Sequence, residues 1–136
     1  SEVPCNALLL SKASPVVANL LRYEPDKKQL DFKLWRASAL EIMANFVCAA
    51  TLPAAWSQPL DAGVADVMQV YEICQEKMIC RLLNIARAVL LRNARIENVH
   101  DVYQLAVQFN DLTMMRHLEE YARSNVAQLL KKRPIS

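Results

Sequence analysis

Glycine is almost absent from this sequence: Gly63 is the one glycine in 136 residues. Tight turns between β-strands and loops that cradle phosphate groups both depend on glycine, so its scarcity argues against a β-rich fold and against a phosphate-binding loop. Long apolar runs are missing too. None approaches the stretch of about 18 apolar residues that a membrane-spanning helix needs. We therefore expect a mainly helical chain with no membrane partner.

Closely spaced cysteine pairs are also missing. The four cysteines show no Cys-x-x-Cys spacing, and the chain starts with Ser-Glu-Val-Pro rather than with a basic and apolar leader. We expect free thiols, mostly buried on apolar faces, in a reducing compartment. The predicted location is therefore intracellular, either cytoplasmic or nuclear. The four residues are Cys5, Cys48, Cys74 and Cys80.

Charge of one sign is not concentrated anywhere except at Lys131-Lys132-Arg133, where cations favour the C-terminal end of a helix. The formal net charge is only +2. Arg81, Arg87, Arg92 and Arg95 could form a basic stripe, but two of them fall at a helix end, where cations are favoured anyway. We therefore expect no nucleic-acid partner.

Residues suited to catalysis are few. The two histidines, His100 and His117, match no zinc-binding spacing, and no pair of carboxylates converges. Cys74 and Cys80 could share a metal with His117 only in an unusual arrangement. We predict no catalytic, cofactor-binding or metal-binding residues, no cofactor, and no enzymatic activity.

The strongest pattern in the sequence is an internal repeat within Val64–Leu130. A shift of 35 positions brings similar residues together, as expected for two stacked helical hairpins. Since neither hairpin can bury its apolar stripe alone, the two should pack against each other or against what precedes them. The matched pairs are Val64 and Val99, Asp66 and Asp101, Val67 and Val102, Gln69 and Gln104, Val70 and Leu105, Cys74 and Phe109, Ile79 and Met114, Arg81 and Arg116, and Leu83 and Leu118.

Helix boundaries can be predicted from capping residues. Asn6 and Ser14 should begin two short helices, with Pro15 in the first position of the second. Ser38, with Glu41 three residues on, is typical of a capping box, and Asn98 should cap the first helix of the second hairpin.

The remaining elements follow from residue patterns. The hairpin turns should lie at Gln75-Glu76-Lys77 and at Asn110-Asp111, and the last helix should run from Leu112 to Leu130. The alternation in Leu30–Leu34 predicts the one clear strand, which would need a partner such as the segment around Val3.

In this order of elements the chain resembles a BTB/POZ domain that continues into the start of a BACK domain. The segments that carry the resemblance are Val3–Leu10, Ser14-Pro15-Val16-Val17, the short strand matched by Gln29–Phe32, Phe46-Val47-Cys48-Ala49-Ala50, the helix pair matched by Val64–Arg92 and, most persuasively, Glu97–Ala106. The resemblance implies a mainly α fold with a small β element (α+β), in which a BTB/POZ-like helical region leads into helical hairpins. It divides the chain into a BTB/POZ-like part at 1–95, without the family's first strand, and a BACK-like helical pair at 96–136.

The resemblance also implies a function. Family members commonly bring substrates to cullin-3 ubiquitin ligases through a hydrophobic-x-Glu element after the second short helix. This chain has Leu21, Tyr23 and Glu24 there, but Arg22 stands where an apolar residue is usual. Homodimerisation is a further implication, although the strand that builds the usual dimer is missing.

Aromatic residues supply the last candidate contacts, because exposed Tyr and Trp favour protein partners. Five are counted as candidates for exposure: Tyr23, Trp35, Trp56, Tyr71 and Tyr103. We predict a protein–protein interaction module that acts as an adaptor or scaffold, with a protein partner of the cullin-3 type. The alternative is a helical-repeat, tetratricopeptide-like binding module unrelated to BTB domains. The predicted partner-binding residues are Leu21, Tyr23, Glu24, Trp56 and Tyr71.

Overall fold

The structure, a computed structural model, describes residues 5–23, 35–57, 60 and 64–127 of the chain. Within these ranges the chain forms seven α-helices and one short 3-10 helix, and no described residue lies in a strand. No helix in these ranges is both long enough and apolar enough to cross a membrane. The α-helices are α1 (Ala7–Ala13), α2 (Pro15–Tyr23), α3 (Ala37–Ala49), α4 (Ala65–Lys77), α5 (Cys80–Arg92), α6 (Val99–Gln108) and α7 (Leu112–Ser124), and the 3-10 helix spans Ala54–Ser57.

The expected α+β fold is wrong, because the described part of the chain is all-helical. Both segments from which a β element was predicted, Leu30–Leu34 and the segment around Val3, lie outside the described residues. A strand is stable only when it pairs with another strand. No described segment provides such a partner, since each apolar stretch in these ranges packs as a helix.

The first two helices begin where their capping residues predicted. The Asn6 side chain accepts hydrogen bonds from the amides of Leu8 and Leu9 at 2.9 and 3.1 Å, which satisfies two amides at the start of α1. Ser14 Oγ accepts from the amide of Val17 at 3.1 Å at the start of α2. The Ser14 hydroxyl also donates to the carbonyl of Lys77, so this buried serine joins the α1–α2 corner to the end of α4.

The predicted capping box at Ser38 is wrong. Helix α3 begins earlier, at Ala37, and Ser38 lies inside its first turn. The Ser38 hydroxyl donates to Asp66 Oδ1 on α4 at 2.9 Å instead, and the Arg36 amide donates to Gln69 Oε1 at 2.7 Å. Contacts with α4 therefore hold the start of α3, and these could not be read from local sequence.

The first hairpin turns later than predicted. Helix α4 continues through Gln75-Glu76-Lys77, and the chain reverses at Met78 and Ile79. Met78 has a left-handed conformation with φ of 56°. Within this polar stretch, Gln75 Nε2 donates to Tyr71 Oη, one turn earlier, at 2.9 Å.

The second hairpin follows the prediction up to its last helix, which ends at Ser124 rather than at Leu130. Helix α6 begins after Asn98, and the predicted turn at Asn110-Asp111 is confirmed, with φ of 52° at Asn110. The Asn98 side chain does not cap the helix. It accepts from the Arg95 amide and donates to the Asn93 carbonyl, both at 2.9 Å, and so closes the turn between α5 and α6.

The repeat is in register only for the first helix of each hairpin. Val64, Val67 and Val70 are buried, as are their partners 35 positions later. The left-handed turn residues Met78 and Asn110, however, are only 32 positions apart. Helix α6 has 10 residues and α4 has 13, a difference of nearly one helical turn. Removing three residues rotates the helix end by about 60° relative to a full turn, and both hairpins still present apolar stripes.

One buried core joins both hairpins and the α1–α3 region. Helix α5 packs against α7, and the Tyr71 and Phe109 rings meet edge to face at a centroid distance of 5.9 Å. Buried contacts therefore cross the predicted boundary between residues 95 and 96, and the hairpins pack on each other as their apolar stripes required.

Candidate functional site

The predicted partner-binding residues on α2 lie in its last turn. Tyr23 is the final residue of the helix and is 83% exposed, while Leu20 is 37% exposed. Leu21 is half-buried against the core. Tyr23 and Leu20 therefore present apolar surface to solvent. Glu24 lies outside the described residues.

Trp56 does not have the exposure expected of it. It lies in the 3-10 helix and is only 6% exposed, packed into the shared core. The Arg92 guanidinium donates to the Trp56 carbonyl, and Asn93 Oδ1 accepts from the Leu60 amide at 2.9 Å. These contacts hold the segment against the end of α5. The exposure prediction is wrong because the short helix folds the indole inward.

Tyr71 is likewise buried, with no exposed surface, so the prediction that it lies on the surface is wrong. Its ring packs against Phe109, and its hydroxyl is hydrogen-bonded inside the protein. A tyrosine halfway along a helix carries no local signal that separates a surface ring from a buried ring with a polar partner.

Around Tyr71 lies a buried polar cluster that the sequence did not predict. Tyr71 Oη and Arg87 Nε both donate to Asp111 Oδ2 at 2.7 Å, while Asp111 Oδ1 accepts from the Met114 amide at 3.2 Å. Asp111 thus caps α7 and joins it to α4 and α5. We call Tyr71, Arg87 and Asp111 the polar cluster.

The polar cluster changes the acidity of its members. Burial, followed by the hydrogen bond to Asp111, raises the pKa of Tyr71 above its ordinary value. Burial alone would raise the pKa of Asp111, but the hydrogen bonds from Tyr71, Arg87 and the Met114 amide lower it below its ordinary value. Tyr71 therefore stays protonated and Asp111 stays ionised at neutral pH, as a structural ion pair requires.

A partial signal for this cluster existed in the sequence. Asp111 follows a turn residue and precedes a helix, which is the typical place of an N-cap aspartate. Its two further partners come from positions 40 and 24 residues earlier in the chain, however. The sequence places Arg87 only in a basic stripe, and no local pattern connects it to Asp111.

An open groove runs along α4 and α6. Met68 and Glu72 line one side, and His100, Tyr103 and Gln104 line the other. Tyr103 Oη donates to Glu119 Oε2 on α7 at 2.9 Å, and this hydrogen bond raises the pKa of Tyr103. The groove thus lies between the first helices of the two hairpins, while α5 and α7 pack directly against each other.

The described residues that could act as metal ligands do not lie close together. Within the described ranges, no group of three or more His, Cys, Asp or Glu side chains could hold a metal ion. His100 and His117 are both exposed, and Cys74 is buried. Among the arginines considered for nucleic acid, Arg87 and Arg92 bind partners inside the protein.

Compared with models of known protein families and with curated protein sequences, the chain gives no match.

Proposed function

We propose that this chain is an intracellular protein–protein interaction module that acts as an adaptor or scaffold, and that the end of α2 forms part of its docking surface. The observation that carries the proposal is the exposure of Tyr23. Tyr23 is 83% exposed, lies one turn after the exposed Leu20, and is not part of the core that the described residues form. Tyrosine is enriched in protein interfaces because it buries a large area with little loss of conformational entropy.

The polar cluster supports a binding role over a catalytic one. Its carboxylate, guanidinium and phenol bind one another between α4, α5 and α7. A reaction centre needs polar groups that converge on a space where a substrate can sit. These three groups converge on each other instead, so they support a rigid scaffold.

The proposed partner is cullin-3. The support is the resemblance to BTB/POZ and BACK sequences, in which the segment after the second short helix contacts the cullin. Two of the residues matched to that segment, Leu21 and Tyr23, lie in the last turn of α2. The exposed Arg22 stands where an apolar residue is usual, and so the contact here would rely more heavily on Tyr23.

Titration of the purified chain with cullin-3 tests the proposal. Tyr23→Ala should weaken binding at least about tenfold, because a buried aromatic contact contributes about 1.5–3 kcal/mol. Leu112→Ala is the matched control, since Leu112 is also exposed but lies on α7. No binding by the wild type, or equal losses for the two variants, would contradict the proposal.

A second candidate is favoured by the groove along α4 and α6. In helical-repeat proteins the stacked first helices line a concave surface that binds peptides. If the partner binds in this groove, Met68→Glu should abolish binding because it places a charge there. Tyr23→Ala should then leave binding unchanged. The proposed α2 surface requires the opposite pattern. Light scattering after size exclusion would show at the same time whether the chain forms a dimer.

A further inference from the structure

Two cysteine sulfurs from distant parts of the chain lie in contact. Cys5 precedes the first turn of α1, and Cys48 lies in the last turn of α3, 43 residues later. Their Sγ atoms are 3.2 Å apart. A disulfide bond has a length of about 2.05 Å, so a movement of roughly 1 Å would bring the atoms to bonding distance.

We propose that Cys5 and Cys48 form a redox-responsive pair that hydrogen peroxide oxidises to an intramolecular disulfide, fixing the start of α1 to the end of α3. The inference does not depend on the proposed function.

Accessibility together with the Sγ–Sγ contact distinguishes this pair from the other cysteines. Cys48 is exposed and Cys5 is half-buried, so a small oxidant can reach the first sulfur while the second lies behind it. Cys74 has no exposed surface, and burial raises the pKa of its thiol to about 12. Cys80 is exposed, and its described hydrogen bond is to the Met78 carbonyl rather than to another thiol. Cys80 therefore provides a natural control.

The surroundings assign different roles to the two sulfurs. The Asn6 amide donates to Cys48 Sγ at 3.3 Å, which holds the exposed sulfur beside Cys5. Burial, followed by contact with Cys48, raises the pKa of Cys5 to about 12. Cys48 is therefore the sulfur that reacts with the oxidant, and Cys5 is the one that resolves the product.

The chemistry balances in two steps. The Cys48 thiolate attacks one oxygen of hydrogen peroxide, the O–O bond breaks, and the products are Cys48 sulfenic acid and hydroxide, which takes up a proton to give water. Cys5 Sγ then attacks Cys48 Sγ. The S–S bond forms as the S–O bond breaks, and the departing hydroxide takes the Cys5 proton and leaves as water. Two thiols and one peroxide thus give one disulfide and two waters.

The disulfide would close a long loop that contains all of α2. Because a cross-link reduces the entropy of the unfolded chain, closing a loop of this length should raise the melting temperature by roughly 10 °C. Reduction with dithiothreitol should return the melting temperature to its starting value.

The test is oxidation of the whole purified chain with a small excess of peroxide, followed by alkylation of the remaining thiols and digestion at glutamate. Fragment 3–41 carries Cys5, because the bond between Glu24 and Pro25 resists cleavage, and fragment 42–72 carries Cys48 without Cys74. We expect these two fragments to be linked, and the intact mass to fall by two hydrogen atoms. Cys48→Ser and Cys5→Ser should each remove the link and the rise in melting temperature, and Cys80→Ser should retain both.

Three outcomes would overturn the proposal. The first is the absence of linked fragments in the wild type under conditions in which Cys48 becomes sulfinic acid. The second is a link that involves Cys80 and joins two chains. The third is loss of the thermal response in Cys80→Ser. The peptide analysis of the wild type needs no variant, so the test stands even where a serine substitution weakens the fold.

Discussion

Replacing Asp111 by alanine should be among the most destabilising single changes in this chain, because one carboxylate has three partners. Loss of the cap on the Met114 amide costs about 1 kcal/mol. The buried Tyr71 hydroxyl loses its acceptor, which costs about 1–3 kcal/mol. Arg87 loses the partner of its charged hydrogen bond. Since these contributions are not additive within one cluster, we expect a total of about 3–5 kcal/mol.

Urea denaturation followed by circular dichroism measures this change directly. Asp111→Asn should have an effect between those of the wild type and Asp111→Ala. Its amide oxygen can still cap α7, but the charge opposite Arg87 is lost, so the free energy of unfolding should fall by about 1–2 kcal/mol. Glu120→Ala removes an exposed carboxylate from the same helix and should change the unfolding free energy by less than about 0.5 kcal/mol. A loss below about 1 kcal/mol for Asp111→Ala would refute the view that the cluster joins the two hairpins.

Three further predictions address the packing of the second hairpin, the pH dependence of stability and the N-terminal cap of α1. Leu105→Asp and Leu118→Asp should each lower the free energy of unfolding by more than about 3 kcal/mol and unfold the second hairpin, because both side chains are buried. Val107 is half-exposed, so Val107→Asp should be tolerated. An unchanged thermal melt for the first two variants would mean that these leucines do not hold the second hairpin together. Because the pKa of Asp111 is lowered on folding, its ionised form stabilises the fold above about pH 4, and this stabilisation is lost as the pH falls through the folded pKa. Acid titration should therefore narrow the stability gap between the wild type and Asp111→Asn. Asn6→Ala should cost about 1 kcal/mol in a thermal melt, because two amides of α1 lose their acceptor.

Local capping signals predicted those helix boundaries that local contacts determine. Asn6 and Ser14 bond to amides within three residues, and their sequence pattern was sufficient. Ser38 showed the same pattern and failed, because its hydroxyl reaches Asp66 on another helix. A capping pattern states what a side chain can do within one turn and cannot tell whether a partner 28 residues away competes for it.

Aromatic residues were the weakest basis for prediction, for a related reason. Tyr23 is exposed as expected, but Trp56 and Tyr71 are buried. The polar atom of a tyrosine lets it sit equally well at a surface or in a core that supplies a partner. For Tyr71 that partner is Asp111, 40 positions away, so composition and periodicity could not distinguish the two cases.

Asymmetry between the hairpins explains why they stack in one order. The turn before α5 carries the buried Ile79, while the corresponding place before α7 carries Asp111, which accepts from Tyr71 and Arg87 of the first hairpin. A shift of 35 places Ala106 at the position of Tyr71, so the second hairpin has no phenol with which to repeat this joint. Apolar stripes alone permit several packings of nearly equal free energy, whereas a buried carboxylate is stable only where its donors meet it. The polar cluster therefore selects one packing register for this pair of hairpins. A further hairpin could not pack on α6 and α7 through the same contacts.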